Sequence, residues 1–396
     1  MFSNNNKVYY PLEQHFSARD IKENWSNWVW QEQNAIQTVS RLFDVFPQLG
    51  GEEKRKIVDA EKYLRFKITP YILSMIQVDE KSLPVPNDPV WNQFVPSWDT
   101  PDYPPVNIGE LQENWELPEE MITPILQHKY ANRVNFRIQN TCLAYCMYCF
   151  EAKRVLDRNS TKRSFTETYF KESLNYIKRN GEIEEIVISG GEPLTFSNER
   201  LDKLLATFRE IKKIRAIRIQ TRAFVHNPFR IDDEFIRMMV KHDVTAMGVH
   251  VSHPVEMTAA FKEAVARFSE SGCRTILLAQ IPLLKGINDS EQVLVELFMN
   301  LYKLKIKPYY LLHAMPHTLG SSKFRTSVRK GVELMKSIKR NISNPAVPEY
   351  VIVHARGKHT VPLELSGTPE FQYLNGEVRF LNWKGEWCFY EDVEEP

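Results

Sequence analysis

Three cysteines in one short stretch constrain this chain more than any other feature of its sequence. Cys142, Cys146 and Cys149 have the spacing C-x3-C-x2-C and follow an apolar, strand-like run at 134–138. Thiolates that converge from one loop can bind a single inorganic centre, and iron–sulfur clusters take thiolate ligands. A closed structural site, of zinc or of iron and sulfur, takes four protein ligands. Three thiolates therefore predict a four-iron cluster in which one iron is open to a small molecule.

The cysteines alone also fit a zinc site that takes a histidine from elsewhere as its fourth ligand, or three structural cysteines in the core. A second stretch favours the cluster. A strand-like run at 185–189 ends in Ser189-Gly190-Gly191-Glu192. Glycines at such a point allow the backbone to approach a ligand closely, and the Glu192 carboxylate can receive an amine. Such a turn is common by itself, so the pairing of the two motifs carries the prediction.

The composition is that of an ordinary soluble globular protein. The chain has 396 residues, of which 43% are hydrophobic and 26% charged, and its net charge is +1. Neither sign of charge dominates a segment, so we expect no nucleic acid and no anionic membrane as a partner. No apolar run approaches the roughly 20 residues of a membrane helix, and the first residues lack the features of a signal peptide. We therefore expect a cytoplasmic protein, and the distant Cys273 and Cys388 predict no disulfide framework.

The pattern of apolar residues divides the chain into three parts. Residues 1–110 are predicted to be a helical extension and linker, 111–325 a barrel, and 326–396 a C-terminal segment. Within the extension, the pattern predicts an aromatic-rich amphipathic stretch at 25–43, helices at 52–66 and 70–77, and a proline-rich loop at 84–105. An aromatic stripe at helical spacing is more typical of a core than of a cofactor site.

From about residue 130 the pattern of strand, loop and helix repeats. The predicted strands are 134–138, 185–189, 216–221, 245–251, 275–283 and 307–312. Amphipathic helical segments between them, such as 166–179, 202–212 and 233–242, indicate parallel strands with crossover helices. We therefore predict an α/β fold, a partial (β/α)6 TIM-like barrel with a helical N-terminal extension. Functional residues should lie at the carboxyl ends of its strands.

The cysteine run and the Gly-Gly-Glu segment together resemble the radical S-adenosylmethionine (SAM) enzymes. Further stretches are similar to the lysine 2,3-aminomutase branch of that family: 25–30, 68–71, 87–90, 132–134, 221–222, 250–254, 284–289, 307–310 and 324–326. The resemblance implies that the SAM amino and carboxylate groups chelate the open iron. It implies that the Gly-Gly-Glu segment holds the SAM amino group, and it implies cofactor-binding roles for Tyr148, Ser189, Gly190, Gly191, Glu192, His250 and Gln280.

The resemblance also implies the reaction. The expected cofactors are a [4Fe-4S] cluster, SAM and pyridoxal 5'-phosphate (PLP). A 5'-deoxyadenosyl radical would take hydrogen from the β-carbon of a free amino acid, and the α-amino group would move to that carbon with PLP as its carrier. An electron donor such as flavodoxin or ferredoxin is expected, as is a homo-oligomer. The alternative is a radical SAM enzyme without PLP-based migration, such as an epimerase or dehydrogenase. A metal-binding protein without enzymatic activity is a third, more distant interpretation.

The resemblance places PLP near the end of the chain. The family's aldehyde-binding lysine follows a glycine-rich loop, and the matching residue is Lys358, after the single Gly357. A lysine after a glycine is otherwise typical of a solvated loop. Matching positions supply Lys129, Arg133 and Arg222 for the phosphate, which cations bind; surface ion pairs are the plainer interpretation of these three residues. Tyr309 is expected to stack on the pyridine ring.

Substrate recognition differs from that of lysine-using relatives. Glu151 stands where those relatives have an arginine for the substrate carboxylate, and their two aspartates for the distal amine fall at Met315-Pro316 and at His354. A cationic tail would lack anionic partners, so we expect a substrate other than lysine. Candidates for the carboxylate are Lys153, Arg154 and Arg356. The side chain would face His313, His317 and His354, each of which is also typical of a hydrogen-bonded loop residue.

Overall fold

The computed structural model describes residues 8–97, 116–315, 322–364, 370–374, 376–382 and 384–393. The first of these ranges contains six α-helices. Its helices are α1 (Ala18–Asn24), α2 (Trp28–Gln33), α3 (Val39–Val45), α4 (Gly51–Glu61), α5 (Pro70–Leu73) and α6 (Pro89–Phe94). The aromatic-rich stretch is divided between α2 and α3, because Ile36 leaves the helix to form a bridge with Ile68.

Helix α6 corrects the prediction of a loop at 84–105. The Asp88 side chain accepts hydrogen bonds from the backbone N–H groups of Val90 and Trp91, at 3.0 and 2.7 Å. Pro89 occupies the first turn of the helix, where its missing N–H costs nothing. A proline that suggested a break in the sequence therefore begins a helix. Residues 98–105 of the predicted loop lie outside the described ranges.

One large sheet forms the centre of the fold, and its strands neighbour one another in chain order. They are β1 (Met121–Thr123), β2 (Leu126–Tyr130), β3 (Arg133–Arg137), β4 (Glu185–Ser189), β5 (Ala216–Thr221), β6 (Ala246–His250), β7 (Ile276–Leu283), β8 (Lys307–His313), β9 (Glu349–His354) and β10 (Gly357–Thr360). Strands β3 to β9 are parallel, and β1, β2 and β10 are antiparallel to their neighbours.

The predicted incomplete α/β barrel is confirmed, and its sheet has four strands that were not predicted, β1, β2, β9 and β10. All six predicted strands are present, and no bound differs by more than one residue. The parallel part has a seventh strand, β9, and an antiparallel return strand, β10, which both come from the 326–396 segment. Within the described ranges no pairing joins β1 to β10, so the sheet is not closed into a ring.

Helices cross over between the parallel strands. They are α7 (Ala152–Val155), α8 (Glu167–Arg179), α9 (Asn198–Arg209), α10 (Ala223–His226), α11 (Asp233–Lys241), α12 (Ala259–Glu270), α13 (Glu291–Lys303) and α14 (Val328–Asn341). A hydroxyl or carboxylate side chain caps the start of each long crossover helix. These capping residues are Thr166, Ser197, Asp232, Thr258, Ser290 and Ser327.

Alternation along the strands separates an apolar outer layer from a polar interior. In β3, Phe136 is fully buried and contacts the rings of Phe170 in α8 and Phe208 in α9, at 5.7 and 5.4 Å between centroids. Its neighbours Asn135 and Arg137 face the opposite side and line an interior cavity. Because successive strand residues point to opposite faces, the residues that alternate with the buried outer layer face the cavity and form the candidate site.

The last described segments form a small antiparallel sheet of β11 (Phe371–Leu374), β12 (Glu377–Leu381) and β13 (Trp387–Glu391). The Tyr390 hydroxyl donates a hydrogen bond to the Ala314 carbonyl at 3.0 Å, which ties this sheet to the segment after β8. Among the helices of the described residues, none has the length and hydrophobicity needed to span a bilayer.

Candidate active site

A cavity of about 570 Å³ lies within the incomplete barrel, lined by residues of β2 to β10 and of the cysteine loop. It brings together nearly all of the residues that the sequence singled out. Those on its wall are Lys129, Arg133, Cys142, Cys146, Tyr148, Cys149, Glu151, Ser189, Gly190, Gly191, Glu192, Arg222, His250, Gln280, Tyr309, His313, Met315, His354 and Lys358. Arg154 is not part of the wall, and His317 lies outside the described residues.

The three cysteines of the C-x3-C-x2-C loop line one region of this cavity. Burial raises the pKa of the Cys142 thiol well above its usual value, and nearby Cys149, Glu192 and Cys146 raise it further. The described residues contain no group of three or more Cys, His, Asp or Glu side chains arranged around one metal ion. A four-iron cluster does not require such a group, because each of its thiolates binds a different iron. Three cysteines that form no disulfide and line one pocket therefore fit the predicted cluster.

Gly190 and Gly191 allow the strand end to pass directly against the cysteine loop. The backbone N–H of Gly191 donates to the Gln139 carbonyl at 2.5 Å, and that of Glu192 donates to the Thr141 carbonyl at 2.8 Å. A Cβ atom at Gly190 would lie 2.4 Å from the Gln139 oxygen, and one at Gly191 would lie 2.2 Å from the Thr141 oxygen. The two glycines therefore hold the cysteine loop in place by close backbone contact.

The Glu192 carboxylate is buried on the wall of the cavity and is held by hydrogen bonds. It accepts hydrogen bonds from the Thr221 hydroxyl at 2.7 Å and from the backbone N–H of Arg222 at 2.8 Å. Burial raises its pKa to about 7, although these hydrogen bonds lower it. A carboxylate with this pKa gains from a bound cation such as an ammonium group, which fits the role expected for the Gly-Gly-Glu segment.

Arg222 lies beside the cysteines. Its guanidinium donates to the Cys146 sulfur at 2.7 Å and to the Tyr148 hydroxyl, and it forms an ion pair with Glu256 at 2.8 Å. The His226 Nε2 atom lies 3.4 Å from the same sulfur. The resemblance implies that Arg222 binds the PLP phosphate, whereas its guanidinium bonds to Cys146 and Tyr148 of the cysteine loop and to Gln93, Ser252 and Glu256.

Lys358 lies on a strand and not on a loop. It is paired with Val353 in the β9–β10 hairpin, and its backbone N–H donates to the Tyr130 hydroxyl at 3.0 Å. Its Nζ atom lies 4.7 Å from the centre of the Tyr310 ring. The residue is exposed to the cavity, but the surrounding walls still desolvate its ammonium group. This desolvation, followed by the charges of Arg218 and Arg133, lowers its pKa to about 8. The loop before Lys358, which is shorter than in the family, thus forms a tight hairpin. This hairpin holds the lysine at the cavity wall.

Cations surround the Lys358 end of the cavity. Arg133 is stacked on the Tyr130 ring at 4.0 Å, and Arg218 pairs with Glu185 at 2.9 Å. The ammonium group of Lys129 lies 2.7 Å from a Glu120 oxygen and also contacts the Ala355 carbonyl. Three cations near a lysine of lowered pKa provide the charge that a phosphate dianion requires.

Two residues at this end were missed by the sequence reasoning. Arg218 faces the cavity between the outward-facing Ile217 and Ile219 of β5, so strand alternation could have identified it. Tyr310 lines the cavity together with Tyr309, because the β7–β8 register shifts at this point and both rings face inward. Their hydroxyl groups are 2.8 Å apart. A register shift of this kind leaves no clear signal in the sequence.

The interior between the two ends is polar and hydrogen-bonded. Gln280 donates through Nε2 to Gln220 Oε1 at 2.9 Å, and His250 Nε2 lies 3.2 Å from the same oxygen. Burial lowers the pKa of His250 to about 3, so its imidazole is neutral at physiological pH. Gln220 was not predicted, and it lies next to Gly248, where an added Cβ would be 1.9 Å from the Gln220 oxygen.

The proposed substrate residues have different surroundings. His313 is buried, its Nδ1 lies 2.7 Å from the Tyr350 hydroxyl, and burial lowers its pKa to about 3. Arg154 is held by Glu116 at 2.5 Å and by backbone carbonyls, away from the cavity. Arg356 is exposed and pairs with Glu386 at 3.1 Å. Glu151 pairs with Arg137 at 2.8 Å, and the sequence reasoning did not single out Arg137.

A cysteine loop with three thiols, held by a Gly-Gly-Glu turn at the carboxyl ends of parallel strands, defines the class of radical SAM proteins. In agreement, the Radical SAM superfamily model matches residues 136–298. The chain belongs more specifically to the lysine 2,3-aminomutase family of that superfamily. This family implies a [4Fe-4S] cluster and SAM, and its lysine 2,3-aminomutases depend on PLP.

Relatives match nearly the full chain. One from Aquifex aeolicus is 35% identical over 95% of this chain and 97% of its own length. The glutamate 2,3-aminomutase of Clostridioides difficile is 30% identical over 94% of this chain and 84% of its own. The L-lysine 2,3-aminomutase of Clostridium subterminale is 30% identical over 87% of this chain and 80% of its own. The family thus includes relatives named for different amino acids.

Proposed function

We propose that this chain is a PLP-dependent radical SAM 2,3-aminomutase that moves the α-amino group of a free amino acid other than lysine to the β-carbon. One observation carries the proposal. Lys358 lies on the wall of the same cavity as the three cysteines, and its pKa is lowered to about 8. A lysine of lowered pKa is a nucleophile for an aldehyde, and the Lys358 side chain is exposed to the cavity. The cavity therefore joins a candidate cluster site to a candidate PLP site.

The residues present fit both cofactors. Cys142, Cys146 and Cys149 would hold the cluster, while Glu192 would bind the SAM amino group. Lys358 would hold the PLP aldehyde, with Arg133, Arg218 and Lys129 at the phosphate. When bound, the cluster and SAM supply a hydrogen-abstracting radical, and PLP supplies a carrier for the migrating amino group. The protein's own part is to position the reactants and to exclude water from the cavity.

The carboxylates of the cavity support a substrate other than lysine. Among the described residues on its wall, the carboxylates are Glu151, Glu185 and Glu192. Glu151 is paired with Arg137 and Glu185 with Arg218. Glu192 is hydrogen-bonded to Thr221 and the Arg222 backbone, and its remaining capacity is assigned to the SAM amino group. An ammonium group at the end of a substrate side chain would thus be desolvated without an anionic partner, which costs several kcal/mol. A neutral, aromatic or acidic side chain avoids that cost.

The test uses the full chain, reconstituted anaerobically with iron and sulfide and loaded with PLP. SAM, a reductant and a pool of α-amino acids that includes lysine are added, and the products are analysed by mass spectrometry after chiral separation. We expect an isomer of unchanged mass from an amino acid other than lysine, and none from the K358A variant. Formation of 5'-deoxyadenosine by a protein that binds no PLP would instead favour hydrogen abstraction without amino migration. Lysine as the best substrate would refute the specificity.

The proposal extends to the partners expected of such an enzyme. A one-electron donor of the flavodoxin or ferredoxin class would reduce the cluster, and the chain would form a homo-oligomer. Reduction of the reconstituted protein by either donor, followed at the cluster absorption, tests the first. Analytical ultracentrifugation of the holoprotein tests the second, and a single monomeric species would contradict it.

A further inference from the structure

Arg137 is a buried arginine with one terminal nitrogen left over. Its side chain is 1% exposed and lines the cavity. Its Nε donates to Glu151 Oε1 at 2.8 Å, and its Nη2 donates to Gln127 Oε1 at 2.8 Å. The third nitrogen, Nη1, is buried and has no hydrogen-bond partner among the described residues. An unsatisfied guanidinium N–H in the interior costs free energy, so its presence on a cavity wall indicates a ligand acceptor.

The other cations of the cavity have different surroundings. Arg222 uses both terminal nitrogens: Nη1 donates to Cys146, and Nη2 donates to Gln93 and Glu256. Lys129 is bound to Glu120 and to a backbone carbonyl. Arg133 and Arg218 lie close enough to Lys358 to lower its pKa. Among the described wall residues, Arg137 is therefore the arginine with a buried, unpartnered terminal nitrogen away from the Lys358 end.

The ion pairs around Arg137 hold its guanidinium in place. The carboxylates in these pairs do not balance all of the positive charge. Glu151 lies 2.8 Å from Arg137 and 3.8 Å from Arg154, while Glu116 contacts both arginines and Lys162. Burial raises the pKa of Glu116, but the three cations outweigh it and hold the pKa at about 2. The described pairs thus combine three cations with two carboxylates. The surplus charge is positive, and Arg137 presents it to the cavity.

The position of Arg137 suits one part of an amino acid. It ends β3 and is paired in register with Ser189, immediately before the Gly-Gly-Glu turn, while Glu151 follows Cys149 by two residues. Arg137 therefore lies at the cysteine end of the cavity, and Lys358 lies on the wall of the same cavity at its other end. Resting on the proposed function, we propose that Arg137 binds the α-carboxylate of the substrate through Nη1, and that Glu151 positions its guanidinium.

The test measures binding and does not need turnover. PLP-loaded protein is titrated with α-amino acids and, separately, with the matching primary amines that lack the carboxylate, and the visible absorption of PLP is followed. The wild type should respond at much lower concentrations of amino acid than of amine. In R137M the half-saturating amino-acid concentration should rise about 30-fold or more, because a buried charged hydrogen bond is lost. Its response to amines should stay unchanged.

Four controls make the result specific. R137K should recover part of the discrimination, and E151Q, which retains Arg137 but loosens it, should lose a smaller part. R215M removes an exposed arginine and should match the wild type. R154M removes the buried neighbour that does not line the cavity, so an equal loss of discrimination in R154M would overturn the proposal. SAM binding to the reconstituted cluster should be the same in R137M; a loss confined to SAM would also overturn it.

The outcomes separate this inference from the proposed function. A wild type that binds PLP and responds equally to acids and amines refutes the role of Arg137 alone. A wild type that binds no PLP, or whose PLP responds to neither set of probes, refutes both. If R137M fails to fold, the R137K and E151Q titrations decide: unchanged acid-to-amine ratios in both variants would contradict the proposal.

Discussion

Replacing Arg218 with methionine should slow the reaction of Lys358 with an aldehyde near neutral pH and leave it unchanged in alkaline solution. Desolvation, then Arg218 and Arg133, lower the pKa of Lys358 from 10.5 to about 8. Only the neutral amine is nucleophilic, and lowering the pKa increases its share. At pH 7.5 that share is about a quarter for a pKa of 8, against about 0.1% for an unperturbed lysine. The surroundings of Lys358 therefore increase its reactive fraction about 200-fold.

The effect of Arg218 can be worked out on the same basis. If its removal raises the pKa of Lys358 by one unit, the neutral fraction at pH 7.5 falls to about 3%, so the reaction slows about eightfold. At about pH 10 both proteins have a mostly neutral lysine, and the rates should converge. R218K retains the positive charge and should remain close to the wild type.

The assay must separate this effect from phosphate binding, since Arg218 is also a candidate phosphate ligand. Pyridoxal, which has the aldehyde but no phosphate, serves as the probe. The apoprotein is mixed with pyridoxal across a range of pH, the adduct is fixed with borohydride, and labelled Lys358 is quantified by peptide mass spectrometry, with K358A as the blank. A wild-type midpoint near pH 10.5, or the same midpoint in R218M, would refute the reasoning.

Three further variants test the contacts around the site. Gly191→Ala places a Cβ 2.2 Å from the Thr141 carbonyl oxygen, so bound iron and thermal stability should both fall. Gly51→Ala, where a Cβ would meet open space, should change neither. Full iron content in G191A would contradict this expectation. R222M leaves the buried Glu256 carboxylate unpaired and should cost about 3–5 kcal/mol in urea unfolding of the apoprotein. The double variant R222M/E256Q should recover part of this loss, and equal losses would count against the ion pair. Glu116, whose pKa is about 2, should stabilise the fold above pH 4.5 and lose that effect as pH falls towards 2; E116Q should flatten acid unfolding in this range, and an unchanged curve would argue against it.

The strands could be predicted from the sequence because their pattern is local. Each has β-branched or other apolar residues at alternate positions, and the crossover helices have capping residues and an apolar stripe. The predictions failed where one residue type is typical of two different structures. The proline-rich sequence predicts a loop at Pro89, although after Asp88 this residue starts a helix. The return strand that contains Lys358 was missed because its pairing partner, β9, had not been predicted as a strand.

The residues of the candidate site could be predicted from the sequence, but the charged groups around each of them could not. The cysteines and the Gly-Gly-Glu turn have fixed spacings, and spacing is visible in a sequence. The pKa of Lys358 depends on Arg133 and Arg218, which are more than a hundred residues away along the chain. Only the sheet brings these charges together. The register shift that turns both Tyr309 and Tyr310 inward has the same origin in the pairing of β7 with β8.

The reversed charge at Glu151 is interpreted differently once its neighbours in the fold are known. By sequence alone, a carboxylate at this position suggests that the substrate's carboxylate has lost its partner. In the structure the carboxylate is held by Arg137, from β3, and the two side chains share one cavity wall. The positive charge has therefore not been lost from this region. Arg137 of β3 supplies this charge, and Glu151 holds the guanidinium in position. Substrate binding need not be weaker than with an arginine at position 151.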